Sequence, residues 1–126
     1  KYLHYLRKDR RTNTVQCSKT HVPGSKQAVL SYSVIETKED LSLVEISLET
    51  GRAHQIRVQF ASEGHPLVGD QKYGAAIMRD KGVQIALWSY MLGFTHPVTK
   101  AELQFYSLPN SDYYPWNRFT LSAVKR

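Results

Sequence analysis

Between Thr50 and Gly74 the chain reads TGRAHQIRVQFASEGHPLVGDQKYG. Two arginines, Arg52 and Arg57, and a histidine, His54, stand at the start of an apolar-periodic run. A Gly-His-Pro, a Gly-Asp and a Tyr-Gly follow it. Positive charge at a helix N-terminus adds to the positive end of the macrodipole, at a cost of roughly 0.3–1 kcal/mol unless an anion lies nearby. The stretch therefore calls for a carboxylate or a phosphate. Two sources are open: surface glutamates of this chain, such as Glu49 or Glu63, or an anion from outside it. Taken alone, His54 reads as a structural or solvent-facing histidine and His65-Pro66 as a helix stop. Gly69-Asp70 and Tyr73-Gly74 read as turns, with Asp70 bonding backbone amides.

Other chemistries find little support. His54, His65 and Asp70 do not fall at a zinc spacing and Cys17 is remote in sequence, so no metal is expected. There is no G-x-S-x-G, no P-loop and no dinucleotide fingerprint, and no cofactor is expected. Aromatic and basic residues interleave at Lys72-Tyr73 and through Tyr113, Tyr114, Trp116 and Arg118. That pattern suits base stacking and equally suits ordinary packing.

A length of 126 residues is enough for one domain with a core, and 41 % hydrophobic and 22 % charged residues are ordinary globular values. The net charge of +6 suits a polyanionic partner such as nucleic acid. One cysteine, Cys17, excludes an intrachain disulfide. With no apolar run of membrane-spanning length and no signal pattern, a cytoplasmic location is expected. The chain opens on Lys1 and at once enters the strand-like YLHYL, as if excised from something longer.

Strand patterns surround the arginine-rich stretch. Tyr2, Leu3, Tyr5 and Leu6 form a short apolar cluster. A polar turn with Arg7, Lys8, Arg10 and Arg11 follows, leading to a strand over Thr14–Cys17. Residues 28–35 and 41–48 alternate and, with a turn at 37–40 between them, should be antiparallel neighbours. The period then changes: Ala53, Ile56 and Phe60 mark one face of a helix beginning near Gly51, with Thr50 as N-cap and Gly64 as C′ glycine. Val83–Phe94 and Lys100–Tyr106 read as two further strands joined by HPVTK, and the aromatic tail from Pro109 as an irregular surface segment. The expected class is α+β: a mostly antiparallel, mixed β-sheet with a short helix after TGRAHQIR.

The run LETGRAHQIRVQFASEGHPLVGDQKYG closely resembles the C-terminal signature of the RluA-type RNA pseudouridine synthases, L-x-T-G-R-x-H-Q-I/L-R followed by G-x-P-I/L-x-G-D-x-x-Y-G. YLHYLRKDRRTNTVQ, Ala28–Tyr32 and ALWSYMLGFTHPVTK resemble the flanking strands of the family, with Leu87-Trp88-Ser89 where L-H-A is usual. The resemblance implies isomerisation of uridine to pseudouridine in RNA, on a base flipped out of its stack, without metal or cofactor. The family's nucleophile is an Asp in an H-R-L-D-x-x-T-S-G motif. Asp9, Asp40, Asp70, Asp80 and Asp112 all lie in other contexts, and Tyr2 and Tyr5 do not sit in the family's K-x-Y-x-A strand.

By resemblance, then, residues 1–126 are the C-terminal portion of one catalytic domain whose N-terminal half, with the Asp, is absent. The chain alone is expected to be inactive. Arg57 pairs with that absent Asp, Arg52, His54 and Gln55 face the RNA backbone and sugar, and Lys72 and Tyr73 lie at the rim. The partner is RNA, with a uridine of rRNA or tRNA as target. Self-association is expected at apolar places such as Leu3, Leu6 and Val83–Leu92. The alternatives are a non-catalytic RNA-binding module of the same fold, or a basic protein–protein domain.

Overall fold

The structure is a computed structural model, and it describes residues 1–74 and 84–121. The chain divides into two compact units, Lys1–Ala86 and Leu87–Arg126. In the first, β1 (Tyr2–Asp9), β2 (Thr14–Ser18), β3 (Lys26–Lys38) and β4 (Leu41–Leu48) precede one helix, α1 (Gln55–Ser62). The strands form a sheet of order β2-β1-β3-β4 in which every pairing is antiparallel. In the second unit β5 (Met91–Thr95) and β6 (Glu102–Tyr106) make an antiparallel hairpin, followed by a short 3-10 turn at Trp116–Arg118. The α+β class expected from the alternation is the class found.

Register explains which residues become core. His4 lies opposite Ala28, Leu6 opposite Cys17 and Tyr2 opposite Leu30, so these side chains share one face of the sheet. Helix α1 lies on that face, where Phe60 meets the rings of Tyr2 and Tyr32 at 5.1 and 5.2 Å. Leu6, Val15, Ala28 and Val58 form the buried cluster beneath it. Leu6, expected at an exposed apolar edge, is only 5 % exposed because its position in β1 points it at this cluster. Leu3, on the opposite face, is exposed as expected, as are Met91 and Leu92. Residues 75–83, where the expected strand from Val83 would begin, lie outside the described set, and Gln84–Tyr90 is not strand.

The helix differs most from its sequence pattern. Its first residue is Gln55, not Gly51, and its N-cap is His54 with a left-handed φ of 53°. Thr50 does not cap. Its hydroxyl accepts the Val29 amide at 2.9 Å and donates to Gln55 Oε1 at 2.8 Å, tying β3 to the helix entry. The buried face is Gln55, Val58, Gln59 and Phe60 rather than Ala53, Ile56 and Phe60, and Ala53 is exposed. Two glutamines can face the sheet because it offers them acceptors. Gln55 Nε2 donates to the Val29 carbonyl and Gln59 Nε2 to the Ala28 carbonyl. These bonds offset the cost of burying the two amide nitrogens, while Gln59 Oε1 stays buried with no partner among the described residues.

The C-terminal end follows expectation. Gly64, at φ 84°, donates to the Ala61 carbonyl and His65 to the Phe60 carbonyl, the two bonds of a Schellman motif. Gly69 also has a left-handed φ, 80°, but a Cβ there would overlap the Gln84 carbonyl, whereas at Gly64 it would meet open space. Gly64→Ala should therefore cost about 1–2 kcal/mol for the backbone conformation alone. Gly69→Ala should cost roughly 1–3 kcal/mol more, from overpacking. Urea unfolding of both variants checks this ordering, and equal losses would contradict it.

Candidate functional site

The loop after α1 carries a turn built around one carboxylate. Asp70 is fully buried, with 0 % of its side chain exposed. Its Oδ1 accepts the amides of Lys72 and Tyr73 at 3.0 and 3.1 Å, as the turn reading anticipates. It also receives Arg57 in a fork: Nη2 donates to Oδ1 at 2.8 Å and Nε to Oδ2 at 3.1 Å. Four donors on one carboxylate offset the burial that would raise its pKa. The Arg57 hydrogen bond, the two amides and the Arg57 charge together hold Asp70 below the usual aspartate range. The same pairing raises Arg57, against burial.

Arg57 thus has its anion inside the chain, and neither arginine pairs with Glu49 or Glu63. Those carboxylates sit with Lys1 and His4 instead. Arg52 is exposed. Its amide is held by Gln55 Oε1 at 2.9 Å and its Nε donates to the Gln27 carbonyl at 2.9 Å, while its two Nη groups meet no acceptor among the described residues. Gln55 itself is 3 % exposed and points into the fold, joining Thr50, Arg52 and Val29.

His54 and Tyr73 meet across the loop. The Tyr73 phenol oxygen accepts the Val15 amide at 3.0 Å and lies 2.7 Å from His54 Nδ1. The contact holds the imidazole by its Nδ1 edge and turns Nε2 away from Tyr73. Burial, then the charges of Arg57, Lys72 and Lys8, lower the His54 pKa despite the opposing charge of Asp70, so the ring is neutral near pH 7. The Arg57 guanidinium stands 5.2 Å over the Tyr73 ring. Lys72 Nζ reaches the Asn13 carbonyl at 2.7 Å.

The structure therefore gathers Arg57, His54, Lys72 and Tyr73 around Asp70, leaves Arg52 at the surface beside Gln27, and turns Gln55 inward. Asp70 as the partner of Arg57, and Lys8 as a neighbour of His54, escaped the sequence reading. A signal for the first lies in the Gly-Asp after the helix, because a carboxylate on a tight loop is well placed to receive an arginine from the preceding element. Among the described residues no cluster of histidine, cysteine or acidic side chains could hold a metal. No helix of the described residues is long and apolar enough to cross a membrane.

Both depressed groups make acid destabilising. The folded state binds fewer protons at His54 and at Asp70 than the unfolded chain does, so stability falls as pH drops. The loss begins below about 6.5 for His54 and, for Asp70, runs from about 3.9 down through its lower folded pKa. Asp70→Asn should cost on the order of 3 kcal/mol near pH 7, by leaving Arg57 without its counter-charge. It should also flatten the part of the pH dependence below about 4. Urea unfolding at a series of pH values measures both, and an Asp70→Asn curve parallel to the wild type would contradict the pair.

Comparison with known proteins matches the sequence of this chain to RNA pseudouridine synthases. Residues 1–62 match the family model described as RNA pseudouridylate synthase. The chain is 43 % identical over 99 residues to the uncharacterised RNA pseudouridine synthase YlyB of Bacillus subtilis, covering 79 % of this chain and 30 % of that protein. It is 40 % identical over 97 residues to ribosomal large subunit pseudouridine synthase D of Vibrio cholerae, covering 68 % of this chain and 30 % of the relative. A shorter match, 59 % over 54 residues, joins it to the uncharacterised RNA pseudouridine synthase YhcT of Bacillus subtilis, covering 41 % of this chain and 18 % of that relative. The chain spans at most about a third of the length of these relatives. It belongs to the RluA-type family of RNA pseudouridine synthases.

Proposed function

We propose that the whole protein isomerises uridine to pseudouridine in RNA, and that these residues supply the cationic wall of its uridine site without the nucleophile. The observation that carries this reading is the state of Asp70. It is the fully buried carboxylate at the family's signature, and its lone pairs are taken by Arg57 and two amides. A carboxylate so neutralised is a poor nucleophile towards C1′ of a ribose. The reacting Asp must come from elsewhere, and the isolated chain is inactive.

The resemblance implies Arg57 as the partner of that Asp. Because its Nε and Nη2 already serve Asp70, Arg57 acts as a positioning residue that sets the loop carrying Lys72 and Tyr73. Of the two signature arginines, Arg52 is the one whose Nη donors meet no acceptor among the described residues, and it takes the carboxylate or a phosphate of the substrate. His54, held at Nδ1 by Tyr73, turns its Nε2 to the sugar or phosphate, Lys72 and Tyr73 form the rim, and Gln55 holds the Arg52 backbone.

In a full-length family protein carrying these residues, Arg52→Lys should lower the single-turnover rate by on the order of a hundredfold, about 2.7 kcal/mol, with little change in unfolding free energy. Arg57→Lys should lower both rate and stability. Arg52→Lys at full rate would remove Arg52 from the site. Isomerisation of tritiated-uridine RNA by this chain alone would contradict the missing-nucleophile reading. A full-length protein that binds RNA and never isomerises it would support the binding module instead.

Self-association of the isolated chain belongs to the same reading. Val34 and Leu48 remain 54 and 50 % exposed on the helix-bearing face of the sheet, beyond the helix, and Leu3 is 45 % exposed on the other. Light scattering should show association at tens of micromolar or above. A strictly monomeric chain would contradict it.

A further inference from the structure

We propose that the β1–β2 hairpin is a grip for the phosphate backbone of RNA flanking the target uridine, reading charge and not sequence. The inference rests on the RNA-binding part of the function proposed above. Its starting point is a run of cations that the site does not use. Arg7, Lys8, Arg10 and Arg11 all lie on β1 or the turn after it, and all are exposed.

The one acid among them does not neutralise them. Asp9 Oδ1 accepts the backbone amide of Arg11 at 2.9 Å, closing the turn. Among the described residues no ion pair or side-chain hydrogen bond engages Lys8, Arg10 or Arg11. Arg7 leans on neutral groups, the Gln16 amide oxygen and the Pro23 carbonyl. Unpaired cations this close repel one another, and a polyanion removes that cost.

Geometry ties the hairpin to the site. The Val15 amide of β2 donates to the Tyr73 phenol, and Lys72 Nζ donates to the carbonyl of Asn13 at the turn. Lys8 lies opposite Val15 in the ladder, and its charge is felt at His54. Lys72 and Lys8 therefore stand by the His54–Tyr73 contact, and the turn that Lys72 reaches carries Arg10 and Arg11. The tip presents charge with no aromatic side chain among residues 7–14, so it lacks an aromatic platform for bases and offers its cations to phosphate.

The test measures binding of this chain to two short single-stranded RNA oligonucleotides of equal length, one rich in uridine and one without it, across a salt series. Arg10→Ala/Arg11→Ala is compared with wild type and with Lys38→Ala, a cation at the far end of β3. Losing two phosphate contacts should reduce the slope of log affinity against log salt by about 1.4 and lower affinity about 25-fold at 0.1 M salt. The loss should be the same for both oligonucleotides, while Lys38→Ala binds as wild type does. A double variant with wild-type slope and affinity overturns the grip and leaves the synthase reading standing. So does a loss confined to the uridine-rich oligonucleotide, which would assign the arginines to the uridine pocket, or an equal loss in Lys38→Ala, which would reduce the effect to net charge. Failure of the wild-type chain to bind either oligonucleotide at low salt sinks both the grip and the RNA-binding reading beneath it.

Discussion

The fork between Arg57 and Asp70 is the constraint on which the rest of the site depends. One end is anchored on α1, the other on a loop that has little regular structure of its own. Backbone bonds such as Ala86 to the Val68 carbonyl and Gly74 to the Asp70 carbonyl help set the path from Leu67 to Gly74, but only the fork ties it to the helix through a side-chain charge pair. With it, the two amides that Asp70 accepts fix Lys72 and Tyr73, and Tyr73 in turn fixes His54 and the β1–β2 hairpin. Burying a carboxylate is favourable only when its charge and lone pairs are met, and here they are met by donors from the same short stretch.

A second set of polar contacts joins the helix to the sheet. Thr50, Gln55 and Gln59 reach the backbone of Ala28 and Val29, and His4 lies 2.8 Å from Gln59 Nε2 and 3.2 Å from Glu63. Apolar packing alone would let a two-turn helix slide on the sheet. Hydrogen bonds to two adjacent carbonyls of one strand give it a single register, and with it a single position for His54. The left-handed backbone at His54 is a conformation that costs a non-glycine residue of order 1–3 kcal/mol, and it persists because these contacts hold both sides of it.

Much of this was legible in the residues. The partial alternation of Leu41–Leu48, with Val44, Ile46 and Leu48 on one face, placed β4 at its observed bounds, and Gly64 marked the helix end because only a left-handed residue completes that motif. The helix start was not legible. Apolar periodicity counts Ile56 and Ala53 as inward and glutamine as outward, but burial here is decided by backbone acceptors on β3 that only the folded sheet presents. The same limit applies to the site. The need for an anion near Arg52 and Arg57 could be read from charge at a helix start, but which arginine finds it within the chain depends on a carboxylate thirteen residues on from Arg57. The turn reading saw only the backbone role of that residue.

The most direct test of the account is a carboxyl-carbon NMR titration of Asp70 in this chain, with Arg57→Lys as comparison. If Asp70 is the internal counter-charge of Arg57, its carboxyl should titrate below the ordinary aspartate value of about 3.9, and lose much of that depression when the fork is replaced by a single ammonium. An Asp70 carboxyl titrating at or above about 3.9, unchanged by Arg57→Lys, would contradict the pair. With it would fall the assignment of Arg52, and not Arg57, to the substrate's anion.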